Sequence, residues 1–123
     1  MDKVHTGGCY CGHIRYAITG PVERAGICHC ENCRKAVGAQ SVAWILLKKI
    51  HFRMDKGDLS RYRTDTGAWR GFCPHCGTSI SYESDRRADE IDITTGSLDE
   101  PDDFPPQWDA YAEEKISWVH TVK

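Results

Sequence analysis

Seven cysteines are the side chains most able to do chemistry in this 123-residue chain, and they fall into three short groups. Cys9 and Cys11 flank Tyr10 and precede Gly12. Cys73 and Cys76 flank Pro74-His75 and precede Gly77. Cys28, Cys30 and Cys33 sit within one stretch of six residues. Closely spaced thiols of this kind bind metal ions, and a tetrahedral zinc takes four thiolates at about 2.3 Å. A glycine after the second cysteine of a turn admits the positive φ that such a turn needs. Cys9, Cys11, Cys73 and Cys76 are therefore read as one structural zinc site that fastens the N-terminal hairpin to the middle of the sheet. Redox use of Cys73 and Cys76 would call for a βαβ context, and the chain carries no such pattern.

The remaining stretch, Cys28-His29-Cys30-Glu31-Asn32-Cys33, has no second pair to complete it. Three protein ligands with an open fourth position are the composition of a catalytic, exchangeable zinc site. Three thiolates leave the metal poorly Lewis-acidic. Such a site suits holding and ionising an incoming thiol better than making hydroxide. A fourth ligand from His29, His75, His51 or a carboxylate would instead close it into a second structural site. His29 and His75 each lie between cysteines, where a side chain normally points away from the metal. Arg34 and Lys35 are at hand for the carboxylates of a small anionic thiol, although a solvated helix face is the simpler reading. No pattern locates Tyr62 or Arg70 beside this stretch.

The elements that must position these groups are mostly short strands. Segment 13–18 alternates, with Ile14, Tyr16 and Ile18 on one face, and Gly20-Pro21 ends it. Segment 42–47 is a buried strand, and 50–52 continues the pairing before the turn at 55–58. Segments 59–62, 69–72, 79–82, 91–94, 108–112 and 116–119 complete the strands, with 99–106 as a Pro-rich acidic surface loop. One short helix is expected over 31–37, where Glu31 and Lys35 are spaced for an i,i+4 pair. The four tryptophans, Trp44, Trp69, Trp108 and Trp118, are expected in the core, with a ligand pocket as the other use of Trp108. The fold class is all-β, in a single domain over 1–123.

With 40% hydrophobic and 28% charged residues, the composition is that of an ordinary globular domain. A formal charge of −2 with no basic block gives no ground for expecting a nucleic-acid partner. No apolar run approaches the roughly 18 residues that cross a bilayer. The stretch Met1-Asp2-Lys3-Val4-His5 lacks the apolar segment of a secretory signal. The expected compartment is the cytoplasm, where thiols stay reduced and paired cysteines serve metals.

Three stretches carry a family resemblance: Gly8-Cys9-Tyr10-Cys11-Gly12-His13-Ile14-Arg15-Tyr16, then Cys28-His29-Cys30-Glu31-Asn32-Cys33-Arg34-Lys35, then Arg70-Gly71-Phe72-Cys73-Pro74-His75-Cys76-Gly77-Thr78. In this order they resemble the glutathione-dependent formaldehyde-activating family, which includes centromere protein V. Gly96-Ser97-Leu98-Asp99 and Trp118 are similar to its C-terminal landmarks. The resemblance implies small β-sheets arranged as a tent around zinc. It implies structural zinc on Cys9, Cys11, Cys73 and Cys76, and a second zinc on Cys28, Cys30 and Cys33 as the catalytic centre. The implied activity is addition of glutathione to formaldehyde, giving S-hydroxymethylglutathione, classed as a carbon–sulfur lyase in reverse. The implied partners are a small thiol such as glutathione and a small carbonyl, and a homodimer is the assembly such families often adopt.

Two classes of function compete on this basis. In the first, the second zinc site activates a thiol for attack on a carbonyl carbon; a variant of this scheme has Cys30 leave the metal and react itself. In the second, the protein is a non-catalytic interaction or scaffold module with two structural zincs. A closed second site with no adjoining cavity would favour the scaffold. A third use, stoichiometric buffering of formaldehyde or metal by thiols, would show no turnover.

Overall fold

The structure is a computed structural model and describes residues 3–122. Met1 and Asp2, the start of the stretch read for a signal, lie outside the described residues, as does Lys123. In chain order the strands are β1 (His5–Gly8), β2 (Arg15–Ile18), β3 (Val22–Cys28), β4 (Val42–Lys48), β5 (Phe52–Lys56), β6 (Ser60–Arg63), β7 (Ala68–Phe72), β8 (Ser79–Ser84), β9 (Glu90–Thr94) and β10 (Trp108–Ala110). Helix α1 (Glu31–Val37) separates β3 from β4. Strands β1, β2 and β5 form a small antiparallel sheet. The others form a second sheet in the order β10-β3-β4-β9-β8-β7-β6, antiparallel except where β10 runs parallel to β3.

Period-2 alternation explains where the core lies. Ile14, Tyr16 and Ile18 meet Ile45, Leu47, Ile91 and Ile93 in one cluster between the sheets, each at most 4% exposed. Each such aliphatic side chain contributes roughly 1.5–3 kcal/mol by burial. The Tyr16 hydroxyl sits 2.7 Å from Ser97 Oγ, which also donates to the carbonyl of Thr94. Strand β1 passes over this phenol only as glycine, since a Cβ at Gly7 would lie 2.4 Å from the Tyr16 oxygen. The Gly96-Ser97-Leu98-Asp99 stretch closes the small sheet: Leu98 is buried and bridges Gly7, while Asp99 accepts from Thr6 and Arg15.

The opposite face of the large sheet is built by the same alternation. Register aligns Arg24, Leu46, Asp92, Tyr82, Arg70 and Tyr62 in one row across β3, β4, β9, β8, β7 and β6. Ile45 and Ile93, paired across β4 and β9 one step along, point into the core, so this row points away from it. Its charged side chains and Tyr82 line the cleft described below, and Tyr62 lines a cavity that adjoins it.

Several expectations require correction. Strands β1 and β3 were not expected. His5-Thr6-Gly7-Gly8 has no apolar alternation, and β3 turns Arg24 and Gly26 toward the polar face, with a register shift between Val22 and Arg24. Segment 116–119 is not a strand; Ser117 and Trp118 form a turn, and Trp118 is 66% exposed. The strand expected over 108–112 ends at Ala110, because Tyr111 adopts a left-handed backbone (φ 54°) before a 3-10 turn at Ala112–Glu114. A 3-10 turn at Lys49–His51 replaces the start of the strand expected over 50–52. Glu31 and Lys35 make no ion pair; the Glu31 N–H donates instead to Glu114 Oε1 at 3.0 Å. The tryptophans are not core residues either. Trp44 and Trp69 are half-buried, and Arg61 and Arg63 stack on Trp69 at 4.4 and 5.2 Å. The core uses Ile, Leu and Tyr16 in their place.

Candidate metal centres and cleft

Two turns build the first cluster. After Cys9 the chain folds back so that the Ile14 N–H donates to Cys9 Sγ at 3.2 Å. After Cys73 the N–H groups of His75 and Cys76 donate to Cys73 Sγ at 3.3 and 3.4 Å. Both turns end on a left-handed glycine, Gly12 (φ 84°) and Gly77 (φ 82°), the conformation expected from the sequence. They bring Cys9, Cys11, Cys73 and Cys76 together, with all four sulfurs within 4.8 Å of one another. Four sulfurs at about 2.3 Å from a tetrahedral zinc lie roughly 3.8 Å apart. The Cys9–Cys11 and Cys11–Cys73 separations are 3.6 and 3.8 Å, so the donor set fits the ion. The Thr78 hydroxyl, joined by backbone N–H groups of Thr78 and Cys11, holds the Cys76 thiol down to about 5, which favours the ligating thiolate. Cys73 is fully buried and Cys9 packs on the main core.

The second cluster lies at the end of β3. Cys28 is the last residue of that strand, Cys30 caps α1 and Cys33 sits in its first turn. Cys30 Sγ accepts the Cys33 N–H at 3.3 Å, as a serine cap would through oxygen. All three sulfurs lie within 4.8 Å of one another, and Cys28 and Cys30 are 3.4 Å apart. This set could hold a metal ion. Among the described residues, no histidine or carboxylate joins it. His29 turns away into full burial, with Nε2 2.8 Å from Asp109 Oδ1. His75 stacks on His13 at 3.8 Å beside the first cluster. His51 packs against Gly20.

Arg70 approaches the second cluster from β7, its Nη2 donating to Cys33 Sγ at 3.6 Å. The same guanidinium lies 4.8 Å from the ring centroid of Tyr82, its cross-strand partner. A hydrogen bond from Cys28, opposed by burial and reinforced by Arg70, holds the Cys33 thiol down to about 5. Its bond to Cys33 and its own burial push the Cys28 thiol up. The arrangement favours one thiolate facing a fixed positive charge.

A cleft of about 870 Å³ opens beside these thiols, lined by Cys28, Cys30, Cys33, Arg70, Tyr82 and Trp108 among others. A second cavity of about 650 Å³ adjoins it and shares Asn32, Trp44, Thr66 and Arg70. Neither Arg34 nor Lys35 lines the first cleft; Lys35 is exposed, and Arg34 Nε donates to the His29 carbonyl at 3.4 Å.

The family model for the glutathione-dependent formaldehyde-activating enzyme matches residues 4–114, a span that takes in both clusters and this cleft. The chain belongs to that family. A crystal structure of a Rhodobacter sphaeroides protein shares the fold, with a TM-score of 0.63 over 76% of this chain and 87% of that chain at 22% identity. Among the described residues of this family member, no helix is long and apolar enough to cross a membrane.

All seven cysteines fall where the sequence grouped them, in a set of four and a set of three. Sequence reasoning names Arg70 without placing it at the site, and it misses Tyr82, Arg24 and Asp109. Arg70 and Tyr82 become neighbours through β7–β8 register, and Asp109 reaches His29 from 80 positions away.

Proposed function

We propose that the protein joins a glutathione-type thiol to formaldehyde or a related small carbonyl, or carries out the reverse cleavage, as a carbon–sulfur lyase of the cytoplasm. The observation that carries this reading is the second cluster: three cysteines with no fourth side-chain ligand among the described residues, on the wall of a cleft within a matching family span. A closed site without a cavity would favour a scaffold, and the adjoining cleft of about 870 Å³ weighs against it.

In this reading Cys9, Cys11, Cys73 and Cys76 hold a structural zinc, and Cys28, Cys30 and Cys33 hold a second, exchangeable one. When bound there, zinc supplies positive charge that makes a neighbouring thiol easier to ionise. The chain's own residues prepare the rest. Arg70 keeps a positive charge 3.6 Å from Cys33 and thereby favours the Cys33 thiolate. Tyr82 fixes the guanidinium from behind. The Cys30 cap ties the loop to α1, so the three sulfurs stay on one side of the cleft. In the reaction the thiol sulfur forms a bond to the carbonyl carbon and the C=O π bond breaks. The thiol proton ends on the new hydroxyl.

Carbon-13 exchange between labelled formaldehyde and its glutathione adduct tests this reading, with wild type set against folded Cys30→Ala. Protein-dependent exchange that is lost in the variant and not reproduced by free zinc is the expected result. Exchange no faster than the spontaneous background would sink it.

A further inference from the structure

The cleft carries four arginines, and they are not equivalent. Arg87 is committed to carboxylates, with Nη2 2.8 Å from Asp92 and Nη1 3.3 Å from Glu90. Arg70 is turned to Cys33. Arg86 is exposed on the 3-10 turn at Asp85–Arg87, where no side chain among the described residues holds its guanidinium. Arg24 alone of the four is both held in place and uncommitted. Its Cζ lies 4.5 Å from the centroid of Trp108, and it makes no ion pair among the described residues.

The seat for this stack is specific. Trp108 pairs with Gly26 across β10 and β3, and a Cβ at Gly26 would lie 2.4 Å from the indole Nε1. The missing side chain lets the ring lie down on β3, where it lines the cleft. Arg24, Gly26 and Cys28 alternate along β3 toward that cleft, so one strand carries the cation, the ring's seat and the first thiol. Arg24 and Cys28 are four residues apart, which places their Cα atoms roughly 13 Å from each other. The guanidinium reaches back across part of that span.

We propose that Arg24, stacked on Trp108 over Gly26, is the anchor for a carboxylate carried on an arm of the thiol substrate, and that the site selects peptide-length carboxylate thiols over small neutral ones. This inference rests on the proposed thiol chemistry at Cys28, Cys30 and Cys33. It adds a specificity-determining contact on the cleft wall built by β3 and β10, where the nearby Asp92 carboxylate is itself paired with Arg87. The indole orders the guanidinium and shields one of its faces, which leaves its N–H fork for a bidentate carboxylate.

Calorimetric titration of the zinc-loaded protein with glutathione, its diethyl ester and 2-mercaptoethanol tests the anchor in wild type, Arg24→Gln and Arg24→Lys. Wild type is expected to bind glutathione about tenfold more tightly than the ester, the size of one charge-assisted contact. Arg24→Gln loses that preference, Arg24→Lys recovers part of it, and 2-mercaptoethanol binds all three proteins alike. Gly26→Ala, which displaces the ring and keeps the charge, also reduces the preference while the far-UV spectrum stays native. Several results overturn the anchor and leave the thiol site standing: no preference in wild type, a full preference in Arg24→Gln, or an unchanged one in Gly26→Ala. A parallel loss of 2-mercaptoethanol binding in Arg24→Gln also overturns it, because the defect then lies at the sulfur. If wild type binds none of the three thiols, the anchor and the proposed function fall together.

Discussion

The two cysteine clusters use the same atoms in opposite settings. The first joins the β1–β2 hairpin to the turn before β8, is donated to by backbone N–H groups from both turns, and packs on the main core. The second sits at the end of β3 and the start of α1, touches a small satellite core, and faces a cleft with Arg70 beside it. One spans 68 residues of sequence, from Cys9 to Cys76, and the other spans six. A crosslink across a long stretch restrains the fold, whereas a local one restrains only its own loop. In the proposed function, the long-range cysteines on the core serve stability and the local cysteines on the cleft serve chemistry.

The largest effect that could break this contrast comes from cysteine replacement. Cys73→Ser should abolish the cooperative thermal transition and collapse the dispersed amide spectrum, since structural zinc binding is itself worth on the order of 10 kcal/mol in small domains. Cys30→Ser should keep the fold and lower Tm by less than about 8 °C, because serine still caps α1. Equal losses in the two variants would erase the distinction.

Metal competition sharpens it next. A chromogenic chelator added to the zinc-loaded protein should remove one equivalent quickly, with near-native circular dichroism retained, and a second only as the fold is lost. A single phase coincident with unfolding would argue that the clusters are alike. Arg70→Gln should then weaken metal retention at the second cluster by about tenfold, the usual scale for an outer partner of a ligand, and leave the first unchanged. Chelator titration of the variant reads both phases in one experiment.

The smallest effect lies at the hairpin that carries the first cluster. Hydrogen bonds from Arg15 and then Thr6 hold the Asp99 carboxyl below its ordinary range. A lowered folded pKa means that the stabilisation is complete above the ordinary carboxylate value and disappears as pH falls through the lowered one. Arg15 and Asp99 are 39% and 43% exposed, so screening limits the contribution to about 0.5 kcal/mol. Denaturant melts of wild type and Asp99→Asn should differ by that amount at pH 7 and converge in acid.

Much of the molecule was legible from residue order alone. The cysteine partition, the glycines that end both turns, helix α1 and most strands of the large sheet followed from spacing and alternation, because these are local properties. The tryptophans and the last expected strand were misplaced for a common reason. Trp108 and Trp118 are apolar enough for a core, but Tyr111 ends β10 early, and Gly26 and Arg24 hold Trp108 at the cleft instead.

Residue order thus settled which groups have the chemistry to bind metal, since ligand spacing and turn glycines are written within a few positions of each other. It could not settle what faces the second cluster. Arg70 and Arg24 reach the same cleft from β7 and β3, and Asp109 meets His29 from β10. Those meetings depend on strand order and register. Both are set by how buried Ile and Leu side chains from distant segments pack in the core, a cooperative property that no short stretch of sequence carries.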